Sequence, residues 1–247
     1  MGHLAPHVPA AEGDEPGDQG DDGDDTQDDQ PSRHGILHFF PGESCLGRRL
    51  TSRNPVLAMA KSSICVFCGA SFGNEPRFRD AARIVGTGLG QAGYNLVFGG
   101  GGLGLMGEVS KAAQAAGAQV QGIIPAFLQA LENAAPVTPE EKLIVTPHLQ
   151  ERKALMLQMS DAFVVLPGGL GTFDEFFEVA TEAQLGVHKK PIIAVNVDGF
   201  FDPLDAMLRG IVAKGFAKPF ILELYHLADG PEAALLALEQ ALAVFHS

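Results

Sequence analysis

The chain reads as an α/β protein: a doubly wound, Rossmann-like parallel sheet with helices on both faces. Three observations predict this. From Ser63 onward, short apolar runs alternate with helical stretches. The runs, such as SICVFC, AFVVLP and PIIAVNV, are apolar throughout rather than at every second residue, as strands covered on both faces must be. Three glycine-bearing loops, Gly69–Asn74, Gly99–Gly107 and Pro167–Thr172, each follow such a run, which puts them together at the carboxyl edge of the sheet where ligands bind.

The elements follow in order. SICVFC is the first strand, and the loop GASFGNEP leads into a helix from about Arg77 to Gln91 that carries Phe78, Ala81, Ala82, Val85 and Leu89 on one side. NLVFG is the second strand. The run GGGGLGLMG then opens an alanine-rich helix over Ser110–Ala116 that Gly117 stops. QVQGIIP is the third strand, followed by a short helix over Ala126–Glu132. KLIVT is the fourth, and a helix passes through Arg152 and Lys153 to about Met159. AFVVLP, the fifth, feeds PGGLGT and a helix to about Gly186. PIIAVNV is the sixth, a helix covers about Pro203–Lys214, FILELYHL gives a short seventh strand, and Pro231–Phe245 is a closing amphipathic helix.

Upstream of this pattern the composition changes. Residues 1–30 are dominated by Asp, Gly, Gln and Pro, bury too little to offset ordering entropy, and are expected to be disordered. Residues 31–58 show no sustained period and read as a linker. The expected organisation is a disordered acidic extension and linker over 1–58 and one folded domain over 59–247; a sharper reading of the same stretch makes Met59 the native start and the upstream residues dispensable.

The formal net charge is −13, of which the first 60 residues, with 11 acidic residues against four arginines, hold more than half. An acidic body disfavours nucleic acid and anionic membranes as partners, so an anionic ligand must be caught locally by a few amides and cations. No run of about 18 apolar residues is present, so no membrane-spanning helix is expected. The N-terminus lacks a basic lead with an apolar core, and the cytoplasm is the expected location. Cys65 and Cys68 form a C-x-x-C inside a strand, where residues three apart point to opposite faces. Buried structural thiols are therefore expected rather than a redox pair or a zinc site.

The chain is organised around LPGGLGTFDEFFE, residues 166–178: a strand end, a glycine turn and an acidic helix start. Bare amides at a helix start attract anions. Thr172 is read as the helix cap, the amides of Gly169 and Gly171 are unhindered, and Glu175 lies one turn further on the same face as Thr172, placed for proton or charge chemistry. Asp174 and Glu178 are equally accounted for by the helix dipole, which favours acids there by roughly 0.3–1 kcal/mol each. In the earlier run, four consecutive glycines that include Gly100 and Gly101 exceed what packing needs and point to close approach of a phosphate. The acid that would bind a dinucleotide ribose is missing, because QVQGIIP ends in Pro125, so NAD is not expected. Arg152 and Lys153 oppose the dipole of their own helix, which suggests a partner, a solvated helix face being the other reading.

Together VFCGASFGNEP, LVFGGGGLGLMGEVSKAA, QGIIPAFL, ERKALM, SDAFVVLPGGLGTFDEFFE, AQLG and KKPIIAVNVDGFF resemble the LONELY GUY (LOG) family of cytokinin riboside 5′-monophosphate phosphoribohydrolases, in the lysine decarboxylase-like PGGxGTxxE superfamily. The resemblance implies hydrolysis of the N-glycosidic bond of a purine nucleoside 5′-monophosphate, cytokinin-type or AMP, to free base and ribose 5-phosphate. It implies Arg152 and Glu175 as catalytic residues, and substrate contacts at Glu132, Lys153, Gly169, Leu170, Gly171, Thr172, Asp174 and Thr181. It further implies a homodimer and no metal or organic cofactor. The chain departs from the family pattern at Leu149–Gln150, where Met-His is usual, at Glu182, where Trp is usual, and at Ala70, where Ser is common. A competing reading is a nucleotide or molybdenum-cofactor carrier of the same superfamily, which would need the glycine loops but not the glutamate.

Overall fold

The structure is a computed structural model and describes residues 62–132 and 141–245, with only the backbone of Leu131 and Glu132. The acidic extension, the linker and Met59 lie outside the described residues. Among the described residues seven strands form one sheet, and every pairing is parallel. They are β1 (Ser63–Phe67), β2 (Asn95–Phe98), β3 (Val120–Pro125), β4 (Lys142–Thr146), β5 (Ala162–Val165), β6 (Ile192–Val195) and β7 (His226–Ala228). The helices are α1 (Pro76–Gln91), α2 (Gly104–Ala115), α3 (Ala126–Glu132), α4 (Leu149–Gln158), α5 (Leu170–Gln184), α6 (Asp202–Ala213) and α7 (Pro231–Phe245).

The strand order is 4-3-2-1-5-6-7. The chain winds outward from β1 to β4, then returns to the other side of β1 with β5 and continues to β7. The loops after β1 and β5 therefore diverge at the switch point and leave a crevice between them. Side chains on β1 alternate between two cores. Ile64, Val66 and Cys68 face one, with Val85 and Leu89 of α1, Val109 of α2 and Leu238 of α7. Cys65 and Phe67 face the other, with Met156 of α4, Phe176 of α5 and Leu204 of α6. Phe98, Phe163, Phe176 and Phe201 are among the largest side chains that are fully buried, each contributing about 2–3 kcal/mol relative to exposure. The two cysteines thus point to opposite faces, as the strand period requires, and both are buried and free.

Three expectations need adjustment. FILELYHL is not a strand over its length: Pro219–Glu223 forms a 3-10 turn, and only His226–Ala228 pairs with β6. Pro219 fixes its φ and offers no amide to a ladder, so the chain turns before it extends. The helix after the second glycine run begins at Gly104, earlier than its alanine-rich part. The third adjustment concerns Thr172: α5 begins at Leu170 with Gly169 as N-cap, so Thr172 lies inside the first turn and is not the cap.

Candidate active site

The crevice is closed at its base by backbone. The Gly69 amide donates to the Pro167 carbonyl at 3.0 Å, and the Leu105 amide donates to the Gly69 carbonyl at 3.1 Å, which joins the β1 loop, the β5 loop and the start of α2. Above this junction lies a cavity of about 220 Å³ lined by glycines 69, 99, 169 and 171 and by Cys68, Ala70, Met106, Ile124, Leu128, Arg152, Thr172 and Glu175. Side chains built at Gly169 or Gly171 would meet nothing within 4 Å, so no protein atom covers these two glycines at the start of α5. Thr172 is buried against Gly168, where a Cβ would fall on its hydroxyl.

Two charged side chains meet in this cavity. Arg152 comes from the first turns of α4 and reaches across the end of β3, where its Nε donates to the Ile123 carbonyl at 3.1 Å. Its Nη2 lies 3.2 Å from Oε1 of Glu175, and their side chains are 12% and 8% exposed. The cations of α4 that lacked a partner in the sequence both have one. Burial drives the Glu175 carboxyl up from 4.5 to about 7; Arg152 and then Lys153 pull it back down, while Asp174 and Glu178 add to the rise. A carboxylic acid that titrates near neutrality beside a guanidinium is suited to holding or moving a proton. Burial, with the Glu175 charge adding to it, also pushes the thiols of Cys65 and Cys68 well up, which makes them poor nucleophiles.

The other expected site residues are distributed differently. Lys153 turns away from the cavity, with its Nζ 3.0 Å from Asp174 Oδ2 and 2.9 Å from Glu178 Oε2, and so ties α4 to α5. Gly100 and Gly101 are buried but do not line the cavity. Gly100 has φ +74°, and a Cβ there would press on Leu143, Ile124 and the Ile123 amide, so that glycine serves the turn and the packing. Leu170 is 90% exposed, and Thr181 is exposed on α5. The side chain of Glu132, at the end of α3, lies outside the described residues. Cys68, Gly99, Met106, Ile124 and Leu128 line the cavity without having been picked out as site residues. Of these only Gly99, inside the glycine run, carried a signal. Among the described residues no group of three or more His, Cys, Asp or Glu could hold a metal ion, and no helix is long and apolar enough to cross a membrane.

Fold and cavity together define a class: a doubly wound α/β protein with a buried carboxyl–guanidinium pair and a helix start at its switch point. Comparison with known proteins narrows it. The family model described as "Possible lysine decarboxylase" matches residues 106–238. A rice protein, the cytokinin riboside 5′-monophosphate phosphoribohydrolase LOG of Oryza sativa subsp. japonica, is 45% identical over 177 residues, 72% of each chain. A probable cytokinin riboside 5′-monophosphate phosphoribohydrolase of Arabidopsis thaliana is 42% identical over 178 residues, 72% of this chain and 88% of that one. Among solved structures, the molybdenum cofactor binding protein of Rippkaea orientalis has a TM-score of 0.58 at 23% identity, covering 75% of this chain and 99% of that one. The Moco carrier protein of Chlamydomonas reinhardtii has a TM-score of 0.57 at 24% identity, covering 74% and 99%. The chain belongs to the LOG family of cytokinin riboside 5′-monophosphate phosphoribohydrolases.

Proposed function

We infer that the protein hydrolyses the N-glycosidic bond of a purine nucleoside 5′-monophosphate, releasing free base and ribose 5-phosphate. The observation that carries this reading is the Arg152–Glu175 pair, buried in the cavity that Gly169 and Gly171 line at the start of α5. The phosphate docks on the Gly169 and Gly171 amides, where the helix dipole favours negative charge. Glu175, one turn further into the helix, then faces the sugar. As the bond to the base lengthens, positive charge develops on the ribose; the Glu175 carboxylate stabilises it and accepts a proton from the attacking water. Arg152 offers its guanidinium to the phosphate or to the departing base, a charge-assisted contact. The apolar wall of Met106, Ile124 and Leu128 gives a flat base a surface to lie on.

A homodimer and a cytoplasmic location complete the proposal. The dimer is supported by a stripe on α5 where Leu170 and Phe177, two turns apart, are 90% and 36% exposed, continued by Leu185 and Val187 at 71% and 66%. Thr181 falls on the same stripe, one turn beyond Phe177, where a second copy would meet it. The carrier alternative rests on fold alone, because the carriers are 23–24% identical. Incubation of the full chain and of Glu175→Gln with AMP and with isopentenyladenosine monophosphate tests the reading. Free base is expected from the first and none from the second, with both folded. Turnover by Glu175→Gln would refute the role of the carboxylate.

A further inference from the structure

The first residue of the glycine run occupies an unusual position. Gly99 lines the cavity, yet its backbone is not in the left-handed region, so neither a turn nor strain calls for glycine there. What a side chain would meet is the guanidinium: a Cβ would fall on Arg152 Nη2, 3.4 Å from its Cζ and 3.0 Å from the Met106 sulfur. That Nη2 is the atom paired with Glu175, while Nε is held by the Ile123 carbonyl. The neighbouring Gly100 differs, since it needs positive φ and its Cβ would press on core atoms.

We propose that Gly99 is a positioning residue whose missing side chain is the seat of the Arg152 guanidinium, locking it between the Ile123 carbonyl and the Glu175 carboxylate. The role of Arg152 in turnover rests on the function inferred above, but the seat itself does not. Arg152 is long and flexible, so an added methyl group displaces the guanidinium rather than the fold. Glu175 then loses the contact that most lowers its pKa. The groups that remain around it are Lys153 on α4, Asp174 and Glu178 on α5, and the Cys65 and Cys68 thiols of β1 and its loop.

The test uses Gly99→Ala, Arg152→Ala and the double variant in the full chain, each followed by carbon-13 carboxyl NMR titration without substrate, by thermal unfolding and by turnover of AMP. Gly99→Ala is expected to unfold within a few degrees of the parent and to titrate Glu175 at higher pH. It is also expected to lose about 100-fold in kcat/KM, the scale of a misplacement of about 1 Å, with the acid limb of the pH profile moved upward. In the Arg152→Ala background the added methyl should shift the titration no further. An unchanged Glu175 titration in Gly99→Ala overturns the proposal. So does a fall in Tm of more than about 10 °C that persists in the double variant, because the glycine would then serve the fold rather than the guanidinium. If the parent chain releases no base, the inferred function fails while the titration still decides the seat.

Discussion

Glu175→Gln should make the protein more stable at alkaline pH while it stops turnover. The carboxyl titrates at about 7 in the folded chain against an ordinary 4.5, chiefly because it is buried. Between those two values the folded state binds more protons than the unfolded state, so stability falls as pH rises through the window, and the loss is complete above about pH 7. The rise corresponds to about 3 kcal/mol. Glutamine mimics the neutral acid, keeps its volume and cannot ionise. The variant should therefore match the parent near pH 4.5 and exceed it by about 3 kcal/mol at pH 8. Urea unfolding of both proteins at the two pH values and one fixed protein concentration measures the difference. Parallel stability profiles would show that Glu175 does not carry the burial cost assigned to it.

Other outcomes follow from the same geometry. With Glu175 acting ionised, kcat/KM should rise with pH through about 7, and a rate that falls across that value would instead make the carboxyl a proton donor. Gly171→Ala adds a methyl group to the first turn of α5, where nothing lies within 4 Å. Alanine favours a helix by roughly 0.5–1 kcal/mol, so Tm should hold or rise, while KM should increase about tenfold as the methyl enters the phosphate end; an unchanged KM would remove the phosphate from that position. Lys153→Gln should cost about 1 kcal/mol, less at high salt, because the ion pairs to Asp174 and Glu178 are partly exposed. It should also lower kcat/KM about tenfold through the loosened contact of α4 with α5. A stability loss with full activity would make Lys153 purely structural.

The fold was legible because burial on both faces leaves a strong trace: β5 and β6 are uninterrupted, fully buried apolar runs, β1 and β2 are apolar after their first residue, and the glycine-bearing loops follow β1, β2 and β5. The edge was harder, since β7 is only three residues long and a proline-led turn precedes it. Within the site, Arg152 was legible as a cation opposing its own helix dipole and Glu175 as a carboxyl one turn into the helix on the face of Thr172; each turned out to be part of the other's surroundings. Thr172 was read as the cap, yet it stands three residues beyond the N-cap Gly169. The chain instead bends into the helix at Gly169, and the hydroxyl packs against Gly168. Likewise, a run of glycines states that side chains are unwelcome without saying what fills the room. Gly99 yields to a guanidinium, whereas Gly100 yields to a turn and the core. The apolar wall of Met106, Ile124 and Leu128 gave no signal, since core and cavity lining share one composition.

The most direct measurement is a paired assay of products from the full chain with a nucleoside 5′-monophosphate, quantifying free purine and ribose 5-phosphate together. Equal amounts of the two, formed over many turnovers and lost in Arg152→Ala, are the predicted result. Nucleotide recovered intact from the protein after prolonged incubation would contradict the account and leave a binding protein in its place.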